Sequence, residues 1–348
     1  MIRLAGRVIA VTVVMLAIAW GALALWFDGS ASRVLAGGLA AGLAVICISM
    51  VALIRPLYRG VVAALIPVVT VAFWWMSIAP SNTRDWTPDV ARVAQTTFDG
   101  SQVTIENVRN FKYRSETDYE DRWETRSYNL DQVRGVDMFL SYWGPTLIAH
   151  TITSWEFDDG RHLAISIETR KETGESYSAL RGFFRQYELA YVVADERDLI
   201  GLRTDYRGEQ VYLYRLRIPS AQARALLVDY LEQVNRLAMH PRWYNALTSN
   251  CTTMIRYHAQ DVGAGGRFDW RILVNGRIDE LAYERGQIDT SLPFAVLRAR
   301  SNITAKARAA DDSPDFSTLI RENLPAATIP RTDSKVPSGS EKIHSISQ

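Results

Sequence analysis

Three uncharged apolar stretches in the first eighty residues constrain the fold of this chain more than any other feature. They cover residues 8–27, 34–54 and 60–80. Each has about 20 residues, which as a helix is enough to cross roughly 30 Å of hydrocarbon. A cleaved signal peptide is the alternative for the first stretch, but its apolar core would usually be shorter, and two further stretches follow. Residues 1–80 are therefore predicted to form a three-helix transmembrane anchor.

The basic residues beside these stretches predict their orientation. Arg3 and Arg7 precede the first stretch, and Arg55 and Arg59 lie between the second and the third. The connection between the first and the second stretch has one arginine, Arg33. Cytoplasmic loops are enriched in Arg and Lys. The N-terminus and the 55–59 turn are therefore predicted to be cytoplasmic, and everything after residue 80 to be extracytoplasmic.

The chain beyond the anchor is long enough for one α+β domain with a substantial core. Residues 81–99 are predicted to be a linker, residues 100–308 the domain, and residues 309–348 a mostly disordered tail rich in Pro, Ser and Gly. The formal net charge of +1 does not favour nucleic acid as a partner. No cofactor or metal is predicted, because the sequence has no His-x-x-x-His or Cys-x-x-Cys spacing.

Cys251 is the one cysteine outside the apolar stretches. A lone thiol in an oxidising compartment is a liability unless it has a function. Ser249 and Asn250 are candidate caps for a helix that begins at this thiol. The free N–H groups of a helix start favour a thiolate and can stabilise an oxyanion, so Asn250 and Thr252 are candidate oxyanion or positioning residues. The alternative is that Cys251 is a small buried side chain at a helix-packing contact.

His150 is the candidate base for this thiol. It belongs to the first of two alternating segments, 148–157 and 162–169, which are separated by Asp-Asp-Gly and predict a β-hairpin. A three-residue loop places His150 opposite Glu168, whose carboxylate would orient the imidazole. A two-residue turn would place residues 167 and 169 there instead. Glu168 could also be an exposed strand carboxylate paired with a neighbouring basic residue.

Several motifs occur in a fixed order along the part of the chain that follows the anchor. They are Arg-Asn-Phe-Lys-Tyr-Arg-Ser-Glu-Thr from residue 109, Ala-His-Thr-Ile-Thr-Ser-Trp-Glu-Phe-Asp-Asp-Gly from 149, Ser-Ile-Glu-Thr-Arg-Lys-Glu from 166, Phe-Arg-Gln-Tyr-Glu from 184 and Asn-Cys-Thr-Thr from 250. Over roughly residues 100–295 the chain resembles the Lnb N-terminal periplasmic domain family. The order of histidine before cysteine is also similar to circularly permuted papain-like folds, which include the NlpC-type amidases and lecithin:retinol acyltransferase.

The resemblance implies a fold and a site. The expected fold is a permuted papain-like α+β domain in which an antiparallel sheet packs on the helix that starts at Cys251. The implied roles are nucleophile for Cys251, base for His150 and, less directly, third catalytic residue for Glu168. The expected location is the periplasmic side of a bacterial inner membrane. A named member of the family is implicated in N-acylation of bacterial lipoproteins, and it resembles this chain only in its N-terminal domain.

Three classes of function remain open from the sequence. The first is a membrane-anchored thiol acyltransferase or lipid hydrolase that forms a thioester, with a phospholipid as acyl donor and a lipoprotein, another amine or water as acceptor. The second is a papain-like amidase or peptidase acting on cell-wall peptides. The third is a non-enzymatic envelope protein, which predicts a buried Cys251 far from His150.

Overall fold

The computed structural model describes residues 1–311 and 313–325, and it begins with three long helices. These are α1 (Ile2–Asp28), α2 (Arg33–Leu53) and α3 (Leu57–Ser77). By length and composition, each is able to cross a membrane. The three predicted apolar helices are therefore present, although α3 ends at Ser77, before the predicted end at residue 80.

The domain that follows is α+β and is built on an eight-stranded sheet. The strands in chain order are β1 (Gln95–Asp99), β2 (Gln102–Arg109), β3 (Lys112–Tyr113), β4 (Tyr119–Glu120), β5 (Trp123–Asn129), β6 (Val133–Tyr142), β7 (His150–Phe157), β8 (His162–Arg170), β9 (Glu188–Ala194) and β10 (Gln210–Arg215). The spatial order is β1-β2-β9-β8-β7-β6-β10, with β5 also paired to β2, while β3 and β4 form a separate ribbon. Neighbouring strands run antiparallel as predicted, except β2 and β9, which pair in parallel.

Helices cover both faces of this sheet. The helices of the domain are α4 (Glu196–Gly201), α5 (Ser220–Met239), α6 (Cys251–Asp261), α7 (Ile278–Glu284), α8 (Phe294–Ser301), α9 (Thr304–Ala309) and α10 (Phe316–Leu319). The long helix α5 and the shorter α6 share one hydrophobic core with the sheet. Residues of α4, α9 and α10 form a second core against strands including β7 and β8. Cys251 starts α6 on the first side, whereas His150 and Glu168 lie on the face of β7 and β8 that holds Ile152 and Ala164 of the second core.

The apolar stripe of α5 anchors the first core. Six of its large apolar residues are buried: Leu226, Leu227, Tyr230, Leu231, Val234 and Leu237. Trp155 of β7 packs its ring edge-on against Tyr230 at 5.0 Å and donates its indole N–H to Ala223 O at 3.0 Å. Burial of such side chains contributes about 1.5–3 kcal/mol each. This packing turns the Trp155 face of β7 towards α5 and leaves the other face of the strand to the second core.

Residues 81–99, predicted as a linker, are packed against the domain rather than free. The Asn82 amide donates to Leu237 O and Ala238 O, both at 2.9 Å. Trp86 is buried, and the Arg170 guanidinium lies over its ring at 4.3 Å. The segment ends in β1, which pairs with β2. The connection between α3 and the domain is therefore held in place by specific contacts.

Residues 309–311 and 313–325 also differ from the predicted tail. Phe316 and Ile320 are buried in the second core, and Arg321 is buried between Asp137 and Glu196, with nitrogen–oxygen distances of 2.7 and 2.6 Å. The sequence did not predict this segment because it has few large apolar residues. Its packing depends on three side chains, Phe316, Ile320 and Arg321. Residues 326–348 of the predicted tail lie outside the described residues.

Replacing Arg321 by Met tests whether this segment is part of the fold. Removing one partner of a buried ion pair leaves uncompensated carboxylates and typically costs about 3–5 kcal/mol. We expect R321M to lower the free energy of unfolding by about that amount, measured by denaturant unfolding of the detergent-solubilised protein with tryptophan fluorescence. Arg300→Met, at an exposed arginine of α8, is the matched control. Equal free energies of unfolding for the two variants would contradict the conclusion that the segment around Arg321 is part of the fold.

Candidate active site

Helix α6 begins at the thiol because Asn250 caps it. Asn250 Oδ1 accepts a hydrogen bond from the N–H of Thr253, and Thr253 Oγ1 accepts one from the N–H of Asn250, both at 2.9 Å. This reciprocal pattern is a capping box. Asn250 Nδ2 also donates to Ala246 O at 2.8 Å. Asn250 therefore acts as a helix cap that sets the position of Cys251, and its amide is engaged by protein partners.

The β7–β8 hairpin has the register that places His150 and Glu168 on one face. Ile152 pairs with Ser166, and Glu156 pairs with His162, around the loop at 158–160. Gly160 has a φ of +82°, the left-handed conformation expected for the bulge position of a three-residue loop. The prediction of a three-residue loop is therefore confirmed. The two-residue alternative, which would have turned Glu168 to the opposite face, is wrong.

His150 contacts a carboxylate through one ring nitrogen. Its Nε2 lies 2.7 Å from Ser166 Oγ and 3.2 Å from Glu168 Oε1, and the Ser166 hydroxyl donates to the same Glu168 oxygen at 2.6 Å. Burial lowers the pKa of His150, but the charge of Glu168 and the hydrogen bonds with Cys251 and Glu168 together raise it by more, so that it reaches about 9. The imidazole is therefore held as an imidazolium at neutral pH, and it is also hydrogen-bonded to the Cys251 thiol.

Cys251 is buried, with 9% of its surface exposed, and it contacts the imidazole. Burial raises the pKa of the thiol, but the hydrogen bond with His150 and the imidazolium charge outweigh that effect, so the net pKa is lowered. The backbone N–H of Thr151 and the side chain of Thr252 add smaller lowering contributions. The predicted nucleophile and base are thus adjacent, and the imidazolium shifts the thiol towards its thiolate form.

Glu168 completes a charged row behind the imidazole. Burial raises the pKa of Glu168, but His150 and Arg203 together hold it well below its ordinary range. Arg203 is buried and donates to Glu168 Oε1 at 2.7 Å. Arg203 Nε also lies 4.0 Å from Glu209 Oε2, and Glu209 accepts a hydrogen bond from the Ser141 hydroxyl. The carboxylate therefore stays ionised and fixes the orientation of the imidazole, the arrangement expected of a third triad member.

Thr252 and the helix start provide donors near the sulfur. The capping box uses the N–H of Thr253, so the N–H groups of Cys251 and Thr252 have no intrahelical acceptor. Thr252 Oγ1 lies 3.7 Å from Cys251 Sγ and accepts a hydrogen bond from Asn275 Nδ2 at 2.6 Å. The backbone N–H groups of Cys251 and Thr252 are thus the candidate oxyanion donors, whereas the Thr252 hydroxyl has a positioning role.

Asn275 is a site residue that sequence reasoning missed. Its Nδ2 lies 3.7 Å from Cys251 Sγ, and its Oδ1 accepts from the Ala149 N–H at 2.9 Å, so it links the thiol to the start of β7. A Cβ on Gly276 would lie 2.1 Å from Thr146 O, so only glycine fits there. An Asn-Gly pair in a loop signals a turn. It does not reveal that the amide will contact a thiol.

Two other polar groups near the site were also missed or only partly anticipated. Ser166 shares the face of His150 in the three-residue-loop register, but its place between His150 and Glu168 follows only from the coordinates. Arg203 comes from a π-helical turn, Leu202–Tyr206, which has no signature in the sequence. Neither residue could be assigned before the sheet and this turn were brought together.

Behind the thiol, α6 is tied to the sheet by a buried histidine. His258 Nδ1 lies 2.5 Å from Asp229 of α5, and Nε2 lies 2.6 Å from the Tyr191 hydroxyl of β9. This network anchors the helix that holds Cys251 and is a packing arrangement. Within residues 1–311 and 313–325, no group of three or more His, Cys, Asp or Glu side chains could hold a metal ion.

The comparison with protein families agrees with the resemblance seen in the sequence. Residues 119–276 match the model of the Lnb N-terminal periplasmic domain. The matched region contains Cys251, His150, Glu168 and Asn275, and it ends directly after the asparagine. No curated protein and no solved structure matches the chain significantly. With the three candidate spans, the match indicates a membrane protein with a periplasmic domain. The relation to papain-like folds stays a prediction.

The contact between Cys251 and His150 predicts a pH dependence for thiol alkylation. In wild type the rate should follow the lowered pKa of Cys251. His150→Asn removes the imidazolium and leaves burial unopposed, so the pKa should rise and the neutral-pH rate should fall roughly tenfold per unit of rise. The measurement is iodoacetamide labelling of the Cys251 peptide across pH. His240→Asn, at an exposed histidine, should match wild type. An unchanged profile in His150→Asn would contradict the pairing.

Proposed function

We propose that this protein, which carries an Lnb N-terminal periplasmic domain, is a membrane-anchored cysteine acyltransferase or lipid hydrolase. The observation that carries the proposal is the contact of a helix-start thiol with a histidine that a partly buried carboxylate keeps protonated. That arrangement is the activated form of a nucleophilic cysteine. A buried cysteine with a purely structural role has no need of an imidazolium partner, so the contact argues against a non-enzymatic envelope protein.

The residues support a two-step transfer. The Cys251 thiolate attacks the carbonyl carbon of an acyl ester, and the oxyanion that forms faces the N–H groups of Cys251 and Thr252. As the C–O bond breaks, His150 gives its proton to the departing alcohol, and a thioester remains on Cys251. An amine or water then attacks the thioester, His150 takes a proton from it, and the thiolate is released together with an amide or a fatty acid.

The surroundings of the site favour a lipid over a cell-wall peptide. The loop directly before His150 exposes three large apolar side chains, Trp143, Leu147 and Ile148. Exposed apolar groups clustered beside a reactive centre are typical of sites that bind an apolar ligand. A peptidase for cell-wall peptides uses the same thiol and histidine, but it would need a polar cleft. We therefore place a phospholipid as the acyl donor, and a lipoprotein or another amine, or water, as the acceptor.

The proposed location follows from the anchor. With the N-terminus and the 55–59 turn in the cytoplasm, α1–α3 would cross a bacterial inner membrane and the domain would lie in the periplasm. The packed connection from Asn82 to Trp86 holds the domain close to the end of α3. Phospholipid at the periplasmic surface would then be abundant next to Cys251.

The proposal is tested with the full-length protein in detergent and a phospholipid that carries an alkyne-tagged acyl chain. Wild-type protein should acquire a label that hydroxylamine removes, because thioesters are cleaved by hydroxylamine. The Cys251→Ser variant should acquire no label that hydroxylamine removes. The His150→Asn variant should acquire the label at least tenfold more slowly than wild type. Cys47→Ala, at the buried cysteine of α2, is the matched control and should label like wild type.

Each alternative gives a different outcome in the same experiment. No label on a wild-type Cys251 that still alkylates rapidly at neutral pH would reject lipid chemistry and direct the search to amidase substrates of the cell wall. A Cys251 that neither acylates nor alkylates would support the non-enzymatic alternative.

A further inference from the structure

The domain rests directly on one end of the three apolar helices. Asp28, the last residue of α1, accepts hydrogen bonds from Trp75 Nε1 at 2.7 Å and from Gln186 Nε2 at 2.6 Å. The ring of Phe27 lies 5.0 Å from the ring of Phe184. These contacts join the ends of α1 and α3 to residues 184–186 of the domain.

A second segment of the domain reaches the same end of the helices. Trp243 donates its indole N–H to Ile78 O, just after α3, at 3.1 Å, and Arg185 donates to the same carbonyl. The two segments are joined to each other, because the Ala246 N–H donates to Gly182 O at 2.8 Å. Residues 180–186 and 243–247 therefore form one surface at the ends of α1 and α3.

Three large apolar side chains on these segments are exposed in the structure. Leu180 is 51% exposed, Phe183 38% and Leu247 52%. We call these three residues the apolar rim. Leu247 lies only four residues before Cys251 along the chain, and Ser249, between them, is hydrogen-bonded to both Trp243 O and Asn245 O. Leu247 of the rim therefore lies within about 14 Å of Cys251.

The distance of the rim from the membrane is limited by the chain itself. An extended residue spans at most about 3.5 Å, so Phe183 lies within about 4 Å of Phe184, and Leu180 and Leu247 within about 14 Å of the residues that contact the helix ends. The headgroup region adds roughly 5 to 8 Å on each side of the hydrocarbon. Within these limits Phe183 falls in the headgroup layer, Leu180 and Leu247 are able to reach it, and apolar side chains gain from entering the lipid.

Charge on the surface is compatible with a phospholipid headgroup layer. Arg185 lies over the ring of Trp75 at 4.5 Å, and Arg242 is exposed beside Trp243. Arginine and tryptophan at the ends of apolar helices are typical of the membrane interface. The rim thus combines apolar side chains with flanking basic residues, and it is continuous with the contacts to α1 and α3.

We propose that the apolar rim inserts into the leaflet at this end of α1–α3, so that the domain sits partly within the bilayer surface. A lipid acyl chain could then pass laterally from that leaflet to Cys251 without crossing water. The use of the rim for substrate delivery rests on the proposed function, whereas its insertion does not. The occupant of the surface is bilayer lipid and not a second protein.

The experiment places a reporter at the rim of the full-length protein in phospholipid nanodiscs. Leu180→Cys, in a Cys47→Ala and Cys251→Ser background, is labelled with an environment-sensitive fluorophore. The nanodiscs contain phosphatidylethanolamine and phosphatidylglycerol, a fraction of which carries a nitroxide on the acyl chain. Asp158→Cys, at the exposed β7–β8 turn, is the matched control. We expect at least a twofold loss of fluorescence at residue 180 and little loss at residue 158.

Equal and weak quenching at the two positions would overturn the proposal. A reporter at residue 180 that is shielded from an aqueous quencher but not reached by the lipid nitroxide would also overturn it, and would indicate a protein partner instead. Failure of the rim is distinguishable from failure of the proposed function. Quenching without acylation of wild-type Cys251 supports the rim and rejects the lipid chemistry, and acylation without quenching rejects the rim alone.

Discussion

A thiolate buried to 9% exposure needs a positive charge beside it, and most features of the site serve that need. An isolated buried thiol would have a raised pKa and little reactivity. His150 supplies the charge, Glu168 keeps the imidazole protonated, and Arg203 keeps Glu168 ionised. The row of alternating charges runs from Cys251 across β7 and β8 to the turn after α4. The hairpin register, the capping box and the packing of α6 therefore act together as the support of one ion pair.

Much of this support could be predicted from the sequence because it depends on local rules. The Asp-Asp-Gly loop determined which face of β8 meets His150, and Asn250 determined where α6 begins. The residues that were missed, Arg203 and Asn275, reach the site from distant segments. No local pattern predicts such contacts, because they depend on how the sheet and the loops come together. The packed segment around Phe316 was missed because the end of the chain has few large apolar residues.

The fold also links the site to the membrane. The segments that hold the start of α6, 182–188 and 243–249, are the segments that contact Asp28 and Ile78. The same short stretch of chain thus positions the nucleophile and attaches the domain to the apolar helices. A shift of the domain relative to α1 and α3 would therefore displace the segments that position Cys251. This continuity is the physical basis for proposing chemistry on a substrate that is itself in the membrane.

The central claim is that Cys251 and His150 form a thiolate–imidazolium pair. The most direct measurement is the ultraviolet absorbance of the thiolate as a function of pH, taken as the difference between wild type and Cys251→Ser, so that Cys47 cancels. The pair predicts a thiolate band that forms at a pH below the ordinary pKa of a thiol, because His150 lowers the pKa of Cys251. A band that develops only at or above that ordinary pKa would contradict the pair, and with it the proposed nucleophile.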